Sequence, residues 1–229
     1  MEISTLERSK LINLLAFSLL QNVNTVYSHT LTSGAHQSDY TLNFLFLNIR
    51  SLRKRLISLS NFLKFSQIKY HAVILNETNL EKHETHLFNI PHYNSFHSVR
   101  EKIRGGVSIF LDKTIKGETR ENYEFENTNF LVLKLPILNI HIIGIYRPPD
   151  SNPLNFNVHL QDILSKFSRT FVFGDFNHDL FKPHLPNHRL CEQRRILSFS
   201  LFLPNKVLHF LFSRTKREKK RLLRCIFFS

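Results

Sequence analysis

Cysteine and tryptophan are scarce in this chain of 229 residues, which contains two cysteines and no tryptophan. The two cysteines, Cys191 and Cys225, cannot supply the disulfide framework of a small secreted protein, and such low usage is typical of a reducing compartment. The sequence contains no apolar run of about 18 or more residues, so we expect no membrane-spanning helix. These absences predict an intracellular protein, nuclear or cytoplasmic, that does not act in a membrane.

An apolar run near the start, LINLLAFSLL at residues 11–20, follows Arg8 and Lys10 and has the composition of a secretory signal core. No small-residue cleavage site follows the run, and acidic residues dilute the positive start. We therefore favour a buried or amphipathic helix, or an unrelated leader, over a signal. The polar, turn-rich segment 21–40 is predicted to be a linker, so that 1–40 forms a leader and linker ahead of the main domain.

Positive charge dominates the chain, which has 31 lysine and arginine residues against 18 aspartate and glutamate residues and a net charge of +13. The segment 214–224 (RTKREKKRLLR) supplies +6 of this charge and leaves +7 on the remainder. A broadly basic domain favours polyanionic partners, because binding releases their counterions. For the segment 214–224 itself, a solvated disordered tail or a nuclear-localisation-like patch is the simpler interpretation.

Short apolar runs rich in β-branched and aromatic residues predict strands, and apolar residues at helical spacing predict helices. We predict strands near residues 43–47, 72–76, 106–111, 129–135, 139–146 and 170–174. We predict helices at residues 52–65, with Ser51 as N-cap, and at 155–167 and 189–201. Because strands and helices mix without strict alternation, we expect an α/β (α+β) fold of two mixed β-sheets packed face to face with flanking helices.

Four of the apolar runs end in polar residues suited to metal and phosphate. The runs are FLFLN, AVILNE, IHIIGIY and TFVFGDFN, and they end at Asn48, Glu77, Tyr146, and Asp175 with Asn177. Open sheets place their chemistry beyond the carboxyl ends of their strands. If the four strands lie side by side, two carboxylates, two amides and a phenol converge at one rim, which suits one hard cation and a phosphate.

The sequence segments around these residues occur together in one protein family. In order along the chain they are LNIRSLRKRL, ILNETNL, REKIRGGVSIFL, IIGIYRPPDSN and FVFGDFNHDL. They resemble the endonuclease domain of non-LTR retrotransposons, within the endonuclease/exonuclease/phosphatase superfamily, over roughly residues 41–213. The resemblance implies a DNase-I-like sandwich, Mg²⁺ or Mn²⁺ as the only cofactor, and DNA as the partner of a monomer. The word GIYRPPDSN argues against a phosphatase or repair enzyme of the same superfamily.

Roles for individual residues follow from this resemblance. It implies that Glu77 holds the cation, that Asp175 orients or deprotonates the attacking water, and that Asn48, Tyr146 and Asn177 bind the scissile phosphate. Nucleic-acid contacts are expected from Arg50 and Arg147.

Simpler interpretations remain for each of these groups. Glu77 can be paired with a nearby cation, and Asp175 and Asn177 can be ordinary turn formers. Arg147 can belong to a structural salt bridge.

The sequence also departs from the family. Asn76 and Asn79 stand where small hydroxyl and tryptophan residues are frequent. The resemblance implies later strands with an Asp and a Ser-Asp-His triplet, but 222–229 (LLRCIFFS) offers Arg224 and Cys225 where the Asp and the next His would stand. We therefore expect a C-terminally truncated copy with weak or no activity, and a sheet edge left unpaired or only partly filled by 206–212. The alternative is an inactive remnant that binds nucleic acid through charge.

The charge distribution predicts weak, sequence-independent DNA binding that falls steeply with salt. Each phosphate contact contributes about 0.9 to the slope of log K against log salt for duplex DNA. Deleting 214–229, which includes the segment 214–224, should lower that slope, and titrating labelled duplex with both chains at several salt concentrations measures it. An affinity that does not change between low and high salt would contradict the expectation.

Overall fold

The computed structural model describes residues 23–31, 40–99, 105–115, 119–167, 169–176, 189–193, 196–203, 206–212 and 225–228. Its strands are β1 Val23–Leu31, β2 Tyr40–Asn48, β3 Ala72–Asn76, β4 Tyr93–Ser98, β5 Val107–Asp112, β6 Thr119–Phe125, β7 Thr128–Leu135, β8 Ile140–Tyr146, β9 Thr170–Asp175, β10 Arg189–Gln193, β11 Ile196–Leu203, β12 Lys206–Phe212 and β13 Cys225–Phe228. Its helices are α1 Leu52–Phe65 and α2 Pro153–Ser165, with short 3₁₀ turns at Lys82–Leu87 and Pro136–Leu138. No helix in these ranges has the length and apolar character needed to cross a membrane.

The strands form two mixed sheets, as the sequence predicts. The first sheet has the order β1-β2-β3-β5-β4, and the second has the order β10-β11-β12-β13-β9-β8-β7-β6. Each contains one parallel pair, β2 with β3 and β8 with β9, and every other pairing is antiparallel. The expected fold class, two mixed sheets face to face with flanking helices, is therefore confirmed.

The two sheets bury a core between their facing surfaces. Side chains alternate along a strand, so every second residue of the central strands points into this layer. Its buried members include Phe44, Phe46, Ile74, Ile109, Leu131, Leu133, Ile142, Phe171 and Phe173. The layer is thin near Gly144, where an added Cβ would lie 2.6 Å from Cγ1 of Val107. The sheets therefore approach each other closely just inside the strand ends.

The helices cover the outer faces. Leu52 and Leu59 of α1 pack with outward-facing residues of the first sheet such as Val73. On the second sheet, Phe156 and Ile163 of α2 pack against outward-facing residues of β7, β8 and β9. The result is a four-layer arrangement, helix on sheet on sheet on helix. The predicted helix at 52–65 is confirmed, and the one predicted at 155–167 begins two residues earlier.

The two helices begin differently. The side chain of Asn152 caps α2 by accepting from the N–H of Leu154 at 2.9 Å. Ser51 precedes α1, as predicted, but its side chain makes no cap hydrogen bond. Instead, the N–H groups of Ser51 and Leu52 donate to the carbonyl oxygens of Glu77 and Thr78, at 2.7 and 2.9 Å. The start of α1 is thus tied to the residues that follow β3.

Two sequence predictions are wrong. The helix predicted at 189–201 is replaced by the antiparallel pair β10–β11. In ILSFSLFL, Ser198 and Ser200 alternate with apolar residues, which is a strand period that the prediction overlooked. The linker predicted at 21–40 contains β1, which pairs antiparallel with β2 along its length.

The expected unpaired edge is also not where the sequence analysis placed it. β13 pairs antiparallel with β9, with Cys225 opposite Phe173, and β12 pairs with β13 on the other side. Arg224 lies outside the described residues. The segment 225–228 therefore occupies the strand position next to β9.

Candidate active site

Both parallel strand pairs end at the same rim of the sandwich. In the first sheet Asn48 is in register with Asn76, and in the second Tyr146 is in register with Asp175. Asn48 continues the inward-facing series of β2, and Asp175 continues that of β9, because each comes two residues after a core phenylalanine. Ordinary strand alternation therefore turns polar side chains of both sheets toward each other at this rim.

Asn48 joins the two sheets at the rim. Its Nδ2 donates to Oε1 of Glu77 at 2.7 Å and to Oδ2 of Asp175 at 3.0 Å. Asn48 and Asp175 are 4% and 2% exposed, so the charge-assisted bond between them is shielded from water. Both amide hydrogens face carboxylates, which fixes the orientation of the amide. Three of the five predicted site residues, Asn48, Glu77 and Asp175, are therefore brought together.

The same orientation leaves the amide oxygen of Asn48 without a donor. Asn48 Oδ1 is buried and has no hydrogen-bond partner in the described part of the chain. A buried acceptor left in this state costs about 1–3 kcal/mol. The oxygen lies on the amide group whose nitrogen binds both carboxylates, so an unmet hydrogen-bonding capacity stands at the centre of the site.

Glu77 reaches Asn48 because its backbone leaves the strand conformation. Its φ is 53°, in the left-handed region that side chains other than glycine rarely adopt. Regular alternation from Asn76 would turn Glu77 toward α1. The left-handed turn redirects the half-buried carboxylate to the rim instead. Such a conformation costs about 1 kcal/mol or more and persists only where surrounding contacts hold it.

The turn at Gly105 and Gly106 provides some of the contacts that stabilise this conformation. Asn79, which also has a left-handed φ of 52°, exchanges hydrogen bonds with Gly105: its N–H donates to the glycine carbonyl at 2.8 Å, and its Oδ1 accepts from the glycine N–H at 2.7 Å. Gly106 has φ 86°, and a Cβ there would lie 2.9 Å from Oγ1 of Thr78. Asn79, one of the departures from the family pattern, thus fastens the segment after Glu77 to the turn before β5.

Arg147 does not lie where the sequence analysis placed it. The residue is 2% exposed, its Nη1 donates to the carbonyl of Phe176 and its Nη2 to the carbonyl of Ser151, both at 2.6 Å. The guanidinium carbon lies 5.6 Å from the centre of the Phe156 ring of α2. Burial lowers the pKa of Arg147, and Asp150 partly offsets this effect. The enclosed position of the side chain argues against the predicted contact of Arg147 with nucleic acid.

The remaining predicted residues divide into three cases. Tyr146 lies beside Asp175 by strand register and is 7% exposed. Arg50 is exposed, in the left-handed residue pair that leads from Asn48 into α1. Asn177 lies outside the described residues. Its predicted role, and that of Arg50, stay predictions.

Sequence reasoning missed three buried polar residues at the same rim. Asn76 crosses between the sheets, with Nδ2 donating to the carbonyl of Ile145 at 2.7 Å. Asn129, in register with Tyr146, hydrogen-bonds through Nδ2 to Oγ of Ser98 at 3.1 Å. Thr78 is fully buried. The only sequence signal for these residues is that each is a polar residue near the end of a strand. For Asn76, the sequence analysis gave only its departure from the family pattern.

The oxygen atoms of the rim fit a hard divalent cation. Glu77 and Asp175 supply carboxylates, and Asn48 supplies the unpartnered amide oxygen. The described residues contain no group of three or more His, Cys, Asp and Glu side chains in metal-binding proximity. Sparse oxygen ligation of this kind is typical of Mg²⁺, which keeps several waters and uses one or two carboxylates. Glu77, with Asn48 beside it, is the residue that would hold such an ion.

No protein-family model matches this chain, and no curated protein matches it. Among solved structures it is similar to the 3′ phosphatase NExo from Neisseria, bound to product DNA hairpin, with 15% identity over 61% of this chain and 59% of that chain and a TM-score of 0.46. It is similar to truncated TDP2 from Caenorhabditis elegans (12% identity, 80% and 79% of the chains, TM-score 0.47). It is also similar to an endonuclease/exonuclease/phosphatase family protein from Bacteroides thetaiotaomicron (9%, 69% and 66%, 0.44). The chain thus spans less than two thirds of the Neisseria structure.

The Asn48 bridge predicts an energetic coupling between the sheets. Replacing Asn48 with Ala removes the donor shared by two carboxylates and should lower the free energy of unfolding by about 1–3 kcal/mol in metal-free buffer. The loss should be smaller by at least about 0.5 kcal/mol when Asp175 is already Ala, because the two residues interact directly. Urea unfolding of the four chains measures the coupling.

Asn155→Ala provides the matched control. Asn155 donates to Glu126 at an exposed position, at 2.7 Å, and its loss should change stability by no more than about 0.5 kcal/mol. Strictly additive effects of Asn48→Ala and Asp175→Ala would show that the bridge does not form in solution.

Proposed function

We propose that this chain is an endonuclease of the non-LTR retrotransposon type that hydrolyses phosphodiester bonds of DNA with a divalent cation. The observation that carries the proposal is the Asn48 bridge. Asn48, Glu77 and Asp175 come from three different words of the resemblance, 29 and 127 residues from the asparagine, and they meet in one hydrogen-bonded group. Turn formers or surface ion pairs would not need to converge in this way.

The side chains divide the chemistry among them. A cation held at Glu77 would supply charge stabilisation to the leaving oxygen. Asp175, whose Oδ2 accepts from Asn48, would orient a water molecule or take its proton with its carboxylate oxygens. Tyr146, beside Asp175, offers a phenol that suits a phosphate oxygen. The bridge keeps the two carboxylates at a fixed separation, which supplies part of the positioning that such a reaction needs.

DNA is the proposed substrate because the charge of the chain suits a polyanion. The net charge is +13, and Arg50 is exposed two residues after Asn48. Phosphate contacts from such residues carry no sequence information, so we expect little sequence preference from them. The preference for DNA over other phosphodiesters rests on the resemblance of the sequence segments around the site.

We expect the hydrolysis to be slow. The resemblance implies a histidine that stabilises the transition state or serves as acid or base. The described rim residues, Asn48, Asn76, Glu77, Asn129, Tyr146 and Asp175, include none. A positioned acid or base is worth about 10²–10⁴ in rate. Binding of DNA through charge without cleavage is the second candidate function, favoured by the same net charge.

A supercoiled-plasmid nicking assay tests the proposal. The wild-type chain should nick slowly with Mg²⁺ and not with EDTA, and Glu77→Gln should lower the nicking rate about 10²-fold or more, because it removes the charge that holds the cation. Glu124→Gln makes the same change at an exposed strand position and should leave the rate unchanged.

Three results separate the candidates. Nicking that survives in Glu77→Gln would exclude the site. A wild-type chain that binds plasmid in a salt-dependent way and never nicks it would favour the binding function. Equal losses in Glu77→Gln and Glu124→Gln would point to a loss of binding charge instead of a metal ligand.

A further inference from the structure

Arg147 holds the chain beneath Asp175 from the side opposite the site. Tyr146 faces the rim, so strand alternation turns Arg147 to the other face of the second sheet, where it lies over Phe156 of α2. Its exposure of 2% makes it the largest fully buried side chain of the described residues. A side chain enclosed in this way is not placed to contact a DNA phosphate. Burying its charge is costly unless the guanidinium is hydrogen-bonded to the surrounding protein.

The contacts of Arg147 tie three segments together. Its backbone N–H donates to the carbonyl of Asp175 at 3.0 Å and extends the parallel β8–β9 ladder by one step. Nη1 donates to the carbonyl of Phe176, the residue after Asp175, and Nη2 to the carbonyl of Ser151. The carbonyls of two consecutive residues, Asp175 and Phe176, are thus held by one residue.

The hold extends to the loop before α2. The N–H of Ser151 donates to the carbonyl of Pro148 at 3.3 Å and its hydroxyl to the same carbonyl at 3.0 Å, which closes the turn after β8. The guanidinium fork spans from this closed turn to the end of β9. A planar fork with fixed donors transmits position better than a flexible ammonium does.

We infer that Arg147 is a positioning residue, which fixes Asp175 against the Asn48 amide by clamping the backbone at Asp175 and Phe176 to the 148–151 turn. The inference rests on the proposed function for its kinetic consequence. A displacement of about 1 Å at a reacting group costs on the order of 10² in rate. Loss of the clamp should therefore lower kcat and leave DNA binding unchanged, which is the opposite of what a phosphate contact does.

The test compares Arg147→Lys and Arg147→Ala with two controls. Ile163→Ala removes a buried side chain from the same helix–sheet layer, away from the rim, and matches the loss of stability. Arg50→Met removes an exposed cation next to the site. Steady-state cleavage and duplex binding are measured for each chain at a temperature where all are folded by circular dichroism.

The expected result is a fall in kcat of about 10²-fold in Arg147→Lys, with KM and duplex affinity within about twofold of wild type. Ethylguanidinium should restore part of kcat in Arg147→Ala and none in Ile163→Ala. Arg50→Met should instead weaken binding. A raised KM with unchanged kcat in Arg147→Lys would overturn the inference, as would an equal fall of kcat in Ile163→Ala.

Hydrogen–deuterium exchange tests the clamp even if the chain proves not to cleave DNA. Arg147→Lys should lose amide protection selectively in 148–153 and 170–176, compared with Ile163→Ala at equal overall stability. Protection lost evenly over the chain would overturn the inference. Absent cleavage together with selective loss of protection would refute the proposed function and leave the clamp standing.

Discussion

The amide of Asn48 sets the geometry on which the candidate site depends. Two carboxylates near one another repel, and without a shared donor they would tend to separate. The Nδ2 group, at 2.7 Å from Glu77 and 3.0 Å from Asp175, offsets that repulsion and joins the two sheets. Its oxygen has no hydrogen-bond partner in the described part of the chain, and this is the unmet capacity that the proposed cation would use.

The packing of the two sheets determines where that amide lies. Apolar alternation packs the two sheets up to the strand ends, where polar residues take the place of core phenylalanines on the facing surfaces. The rim contains energetically unfavourable features. Glu77 has a left-handed backbone, and the buried amide oxygens of Asn48, Asn76 and Asn129 have no donor in the described part of the chain. Costs of this kind concentrate at functional sites, where strain and unmet hydrogen-bonding capacity are retained for a ligand.

Strand periodicity explains how much of this was predictable from the sequence. The positions of Asn48 and Asp175 follow from where the apolar runs end, and the same alternation places Arg147 on the opposite face from Tyr146. The meeting of Glu77 with Asn48 at one rim was predicted, but the backbone that produces it was not, because it depends on a left-handed residue held by a distant glycine turn. The helix predicted at 189–201 was wrong although the sequence held the evidence against it. The segment is rich in apolar residues, but they alternate with serine at the two-residue period of a strand.

A crystal structure grown with Mn²⁺ tests the central claim most directly, because the anomalous signal locates the ion independently of activity. The account predicts a peak bound to a carboxylate oxygen of Glu77, on the side of Asn48 Oδ1, with the Asn48 bridge to Asp175 intact. The peak should disappear in Glu77→Gln and persist in Glu124→Gln. Glu77 and Asp175 on opposite sides of the molecule, or ions bound elsewhere with none at Glu77, would contradict it.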